Sequence, residues 1–181
     1  MNPKALFIWS LTIIIAVFFA NIVITKNKQN NSKHMKIQSN AFIHNSKIPP
    51  LYTCDGEGVR PPLNISDIPE ATKSLAIVVD DPDAPSRNFV HWLVWNIDPI
   101  TVEIKSDTLP QGAVEGYNDA RKIGWFVPCP PTGTHHYNFS IYALDFILDI
   151  PNISTKQELV EAMKGHILGG DTLVGLYGRV N

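Results

Sequence analysis

The chain has 181 residues, of which 44% are hydrophobic and 18% charged. That is enough apolar material for one globular domain with a proper core. The formal net charge of −2 argues against a general nucleic-acid binder, which would carry a strong basic excess. Fourteen prolines and eleven glycines are spread along the chain, as suits many turns between short strands.

Residues 5–25, ALFIWSLTIIIAVFFANIVIT, carry no charge. As a helix they would cover roughly 30 Å, the thickness of a bilayer core. A soluble helix of that length shows a polar face, and this segment has none. A cleaved signal peptide needs small residues at the cleavage site. Ala20 can end such a site, but Phe18 stands where a small residue belongs. The expectation is therefore an uncleaved, single-pass transmembrane helix over 1–25. A polar tether follows at 26–36, and the folded domain spans 37–181. Lys4 lies on one side of the segment, and Lys26, Lys28, Lys33 and Lys36 lie on the other. A literal count of positive charges keeps the domain in the cytoplasm, whereas an ordinary signal-anchor exports it. The expectation adopted is an extracytoplasmic domain.

Within the domain, residues 35–43 alternate weakly and read as a first strand. Residues 48–62 form a loop punctuated by proline and glycine, and 63–65 form a short strand. Leu75 to Val79 is a buried-strand pattern rich in β-branched residues. Asp80-Asp81-Pro82-Asp83-Ala84-Pro85 breaks it, because each proline fixes its own φ and pushes the preceding residue out of the helical region. The chain returns as a strand at 90–97. By the period of two, Val90, Trp92 and Val94 share one face, and His91, Leu93 and Trp95 the other. Carboxylates and a histidine thus gather at one end of a strand pair. Short strand character follows at 102–103 and a turn at 109–112.

Residues 128–134, PCPPTGT, are stiffened by prolines and turned by a glycine, so they read as loop. Tyr137 to Leu144 alternates as a strand, with Tyr137, Phe139 and Ile141 on one face. Ser154 to Leu168 reads as a helix with two capping-box candidates, Ser154/Gln157 and Thr155/Glu158, and an apolar stripe of Leu159, Val160, Met163 and Ile167. Gly169-Gly170 supplies its stop. Residues 171–180 read as a closing strand. Cys54 and Cys129 lack metal-site spacing, and the residues leave open one disulfide or two buried thiols.

Five stretches now stand in order: YTCDGEGVRPPL, SLAIVVDDPDAP, the His91-Trp92 pair, PCPPTGTHHYNFSIYALD and GHILGGDTLVGLYGR. Together they resemble the phosphatidylethanolamine-binding protein family in its prokaryotic, Raf-kinase-inhibitor-like branch. The resemblance covers Met35 to the end. It implies a mainly β (α+β) fold, in which a large antiparallel sheet packs on a smaller one with few peripheral helices. It also implies an anion pocket for a phosphate or phosphate-ester head group, such as that of a phospholipid. The family's site positions fall on Asp81, His91, Pro131, His135 and Tyr137, and the backbone N–H of Cys129 matches a donor to the anion. His44, His136 and His166 match no site position. Trp125-Phe126-Val127-Pro128 are bulky where the family has small residues, which narrows the pocket mouth or makes it more apolar.

The chemistry suits the residues. Imidazoles, a phenol and a loop N–H are donors for phosphate oxygens. Asp81 as a bare anion would repel the ligand, so its expected part is to orient a histidine, support the loop or share a proton with the ligand. The expectation is a binding protein without cofactor or metal, with the membrane and a phosphate-bearing ligand as partners and no identified protein partner. The alternative is a hydrolase or metal-dependent enzyme using Asp81, His91 and His135, with Cys129 as a candidate thiol nucleophile. No recognisable nucleophile elbow or H-E-x-x-H motif supports it.

Overall fold

The computed structural model describes residues 34–85 and 88–179. The segment expected to cross the membrane lies outside the described residues. Among those described, no helix is long and apolar enough to cross a membrane.

Two sheets make the domain. The smaller has the order β1 (Lys36–Gln38), β3 (Leu63–Ser66), β6 (Glu103–Ile104). The larger has the order β2 (Ser46–Lys47), β9 (Ile167–Tyr177), β8 (His135–Leu144), β4 (Ser74–Asp81), β5 (Phe89–Ile97), β7 (Val114–Glu115). All its pairings are antiparallel except one: β2 runs parallel to β9, so the large sheet is not purely antiparallel. The helix α1 (Lys156–Met163) packs on the outer face of the large sheet.

Strand β4 is buried along its whole length, as its unbroken apolar run requires of a central strand covered on both faces. Leu75, Ile77 and Val79 face the small sheet and pack with Ile37, Leu63, Ile65, Ile104 and Phe139. Ala76 and Val78 face outward onto Leu159 and Met163 of α1. Full burial of each large apolar side chain contributes roughly 1.5–3 kcal/mol, so this inter-sheet core dominates the stability. β8 keeps the expected alternation, with Tyr137, Phe139 and Ile141 inside.

The expected faces of β5 need correction. Asp80 lies opposite Val90, but Val79 lies opposite Trp92, so β5 carries one extra residue at His91. This bulge shifts the phase of the alternation. Val90 joins Leu93 and Trp95 on the helix side, while Trp92 and Val94 sit between the sheets. His91 faces the same inner side, where its ring meets Tyr137 edge-on at 5.2 Å.

Other boundaries moved for local reasons. The first strand is confined to Lys36–Gln38. Beyond it Ser39 turns the chain, donating to the Pro62 carbonyl at 2.6 Å. Met35 is buried in the inter-sheet core, so the tether expected over 26–36 gives way to folded domain before its end. The helix ends at Met163, not at Gly169-Gly170, because Gly165 takes a left-handed φ of 82° that stops it early. Ile167, expected on the apolar stripe, instead pairs with Leu144 at the start of β9, and Val160 is exposed. Of the two capping boxes, Thr155/Glu158 forms.

Candidate functional site

The ends of β4, β5 and β8 and two loops enclose a cavity of about 150 Å³. Asp81, His91, Cys129, Pro131, His135 and Tyr137 all line it. The structure thus brings together every site residue expected from the sequence. Asp81 ends β4, His91 sits at the β5 bulge, and His135 and Tyr137 share the inner face of β8 by the period of two.

Asp81 holds two groups. Its Oδ2 accepts from His135 Nδ1 at 2.7 Å, and its Oδ1 accepts from the Asp83 backbone N–H at 2.9 Å. Its carboxylate thus both orients a histidine and supports the DPDAP turn. With Nδ1–H committed to Asp81, His135 has Nε2 left for a ligand. A second tie lies on the exposed side: Asp83 Oδ2 accepts from the His136 backbone N–H at 2.8 Å and from its Nδ1 at 2.7 Å. That bonding holds the Asp83 carboxyl below the usual carboxylate range. His136, outside the expected site, thus buckles the turn to β8.

His91 is buried, and its Nδ1–H donates to the Phe126 carbonyl at 2.8 Å. Its Nε2 is buried without a hydrogen-bond partner. Removal from water lowers the pKa of the ring below that of an ordinary imidazole, against the pull of the Phe126 carbonyl, Asp81, Asp80 and Asp119. The Tyr137 hydroxyl is likewise buried and unpartnered. Burial foremost, with Asp81 close by, pushes its pKa far up, so the phenol keeps its proton. A buried polar atom left unpaired costs about 1–3 kcal/mol, and two of them border this one cavity.

A stability consequence follows from His91. Below pH 6.5 the unfolded chain binds a proton at this ring that the folded chain resists. Stability should therefore fall as pH drops from 6.5 toward the lowered folded value, and His91→Gln should remove that part of the slope. Urea unfolding of both proteins between pH 7 and pH 5 checks it.

The sequence reading missed part of the wall. Phe89, Phe126, Ala84, Pro85 and Pro130 complete the lining. The Phe89 ring lies tilted against those of His91 at 4.9 Å and Phe126 at 5.5 Å, making one flank aromatic. Of the bulky run over 125–128 only Phe126 reaches the cavity. Trp125 turns away to stack on Phe139 at 6.2 Å and donates to the Gly58 carbonyl. The run thus makes the pocket more apolar through one residue. The signal for Phe89 lay in the alternation of β5 ahead of the bulge, two residues before His91.

Cys54 and Cys129 form a disulfide, Cα atoms 5.4 Å apart, which decides between the two readings of these residues. It pins the pocket loop 126–131 to the segment after the 3₁₀ turn Pro50–Tyr52. A second fastening runs through Asp55, which accepts from the Tyr177 hydroxyl and lies 3.4 Å from Arg179. In the disulfide Cys129 is not a free thiol nucleophile, which removes that element of the enzymatic alternative.

Comparison with known proteins places the fold. Residues 38–178 match the family model for phosphatidylethanolamine-binding protein. The chain belongs to the phosphatidylethanolamine-binding protein family. A UPF0098 protein of the archaeon Methanothermobacter thermautotrophicus is 45% identical over 150 residues, spanning 80% of this chain and 99% of that one. A crystal structure of a phosphatidylethanolamine-binding protein homologue from Chlamydia trachomatis superposes with a TM-score of 0.79 at 40% identity, covering 82% of this chain and all of the other. The Escherichia coli protein YbcL, described as a member of the mammalian family, gives a TM-score of 0.76 at 27% identity, with 82% of this chain covered and all of YbcL.

Proposed function

We propose that this protein is a membrane-tethered binding module whose pocket holds a phosphate or a phosphate-ester head group, and that it is not an enzyme. The observation that carries the reading is the pair of buried, unpartnered atoms, His91 Nε2 and Tyr137 Oη, beside a cavity of about 150 Å³. Drug-sized ligand pockets run from about 300 Å³ upward, so this one suits a head group rather than acyl chains. Tyr137 supplies a neutral donor, His135 offers the nitrogen opposite its Asp81 bond, and the loop at Cys129 adds a backbone N–H. The aromatic flank of Phe89 and Phe126 meets the organic part of an ester.

The tether in this reading is the uncharged segment 5–25. The disulfide supports an extracytoplasmic domain, because disulfides persist in oxidising compartments. Inhibition of a partner protein is compatible with such a module, and no partner is assigned.

Calorimetric titration with phosphate and phosphoethanolamine tests the pocket. Heat of binding is expected for the native protein and not for the His91→Ala, His135→Ala double variant. Absence of binding by a folded native protein would contradict the head-group reading and favour a role in protein interaction.

A further inference from the structure

We propose that the groove between α1 and the loop 117–121 is a second ligand site, separate from the head-group pocket, and that it takes a small organic carboxylate with an apolar body. Arg121 receives the carboxylate, and Tyr117 and Val160 receive the body.

The two sites lie back to back across the paired strands β4 and β5. Phe89 and His91 line the pocket described above, whereas Asn88 and Val90 line the groove, as alternation along β5 up to its bulge requires. Asp81 and Asp80 divide in the same way. Asp81 borders the pocket, while Asp80 accepts from Asn88 Nδ2 at 3.1 Å and from Lys156 Nζ at the start of α1. The groove has a volume of about 940 Å³, in the range of sites for drug-sized ligands and several times that of the pocket.

The charges along the groove leave one cation over. Asp119, Arg121, Lys156 and Glu161 are the charged side chains lining it. Lys156 is engaged by the buried carboxylate of Asp80. Asp119 Oδ2 accepts from the Val90 backbone N–H at 2.9 Å, and Glu161 lies 3.5 Å from Lys164. Among the described residues, the Arg121 side chain has no hydrogen bond or ion pair. Its guanidinium is a planar fork that meets a carboxylate with two parallel N–H···O bonds. Because the Asp119 and Glu161 carboxylates line the same groove, a dianion is repelled more strongly than a monoanion.

The loop presents that arginine in a fixed form. Arg121 takes a φ of 58°, the left-handed region that residues with a Cβ avoid. Buried Asn118 enforces it: its Oδ1 accepts from the Lys122 N–H at 3.1 Å and its Nδ2 donates to the Gly124 carbonyl at 2.9 Å. The Arg121 N–H donates to the Asn118 carbonyl at 3.0 Å. Backbone strain held in this way gathers at ligand sites, and a loop ordered in advance loses less freedom when a ligand arrives. The apolar half is equally exposed. Val160 falls on the apolar stripe of α1 yet is 46% exposed, and Tyr117 is 36% exposed. A ligand body seated between them removes both from water.

The test titrates the full chain in detergent micelles, against micelles alone, with benzoate, 3-phenylpropionate and isovalerate, and with 3-phenylpropionamide as an uncharged counterpart. At least one of the acids is expected to bind. Losing the charge-assisted fork should weaken that acid at least ~10-fold in the Arg121→Gln variant, a change at an exposed loop position. The amide should bind more weakly than its acid, and saturating phosphate should leave the acid's affinity unchanged. No binding of any of the three acids would overturn the proposal, as would an affinity that Arg121→Gln does not alter or an amide that binds as tightly as its acid. Displacement of the acid by phosphate would overturn it too, since the two would then share one site.

Discussion

Replacing Cys54 and Cys129 together by serine is expected to destabilise the domain by about 4 kcal/mol. The bridge joins residues 75 positions apart. Releasing a loop of that length restores chain entropy to the unfolded state worth about 4 kcal/mol in the loop-closure account. The folded state loses something too, because the disulfide is the covalent fastening of the loop that carries Phe126, Cys129, Pro130 and Pro131. The hydrogen bond from Cys54 N–H to the Pro128 carbonyl at 3.1 Å remains, as does Trp125 to Gly58 at 3.1 Å. The loop should therefore loosen rather than detach, and phosphate affinity should fall with the stability. Urea unfolding of the oxidised protein and of the double variant checks the first effect. A change under 1 kcal/mol would show that the weaker fastenings suffice.

Asp81→Ala is expected to cost about 3 kcal/mol. It leaves the His135 Nδ1–H and the Asp83 N–H without their acceptor at a buried position. Asp81→Asn should cost less, since the amide oxygen can still take one of the two donors. The exposed counterpart Asp83→Ala should cost little, because its pair with His136 is open to water. The ordering Asp81→Ala, Asp81→Asn, Asp83→Ala in unfolding midpoints is the check. Equal effects at Asp81 and Asp83 would contradict the buried role given to Asp81.

Much of this site was legible in the sequence because its residues sit in ordered stretches with distinctive punctuation. The Asp81-Pro82 and Ala84-Pro85 steps end β4 where Asp81 is needed. The period of two places His135 and Tyr137 on one face. His91 lines the cavity, yet on the face opposite to the one that alternation gives it. Strict alternation put it with Leu93 and Trp95, and only the register of β4 against β5 reveals the extra residue that turns it inward. A bulge is a property of the pair of strands, so one strand's sequence does not carry it. The same holds for β2 and β7, each two residues long and defined only by its partner. The helix was overextended because Ile167 falls in phase with Met163. Gly165, two residues earlier, decided the end. The Asp83–His136 tie joins residues 53 positions apart and left no local trace.

The measurement that bears most directly on the central claim is a crystal structure of the protein grown with a saturating concentration of phosphate near pH 6. The account predicts phosphate in the cavity at the ends of β4, β5 and β8, with oxygens at hydrogen-bonding distance from His91 Nε2 and Tyr137 Oη. Phosphate bound only elsewhere on the domain, or a cavity holding none, would contradict it.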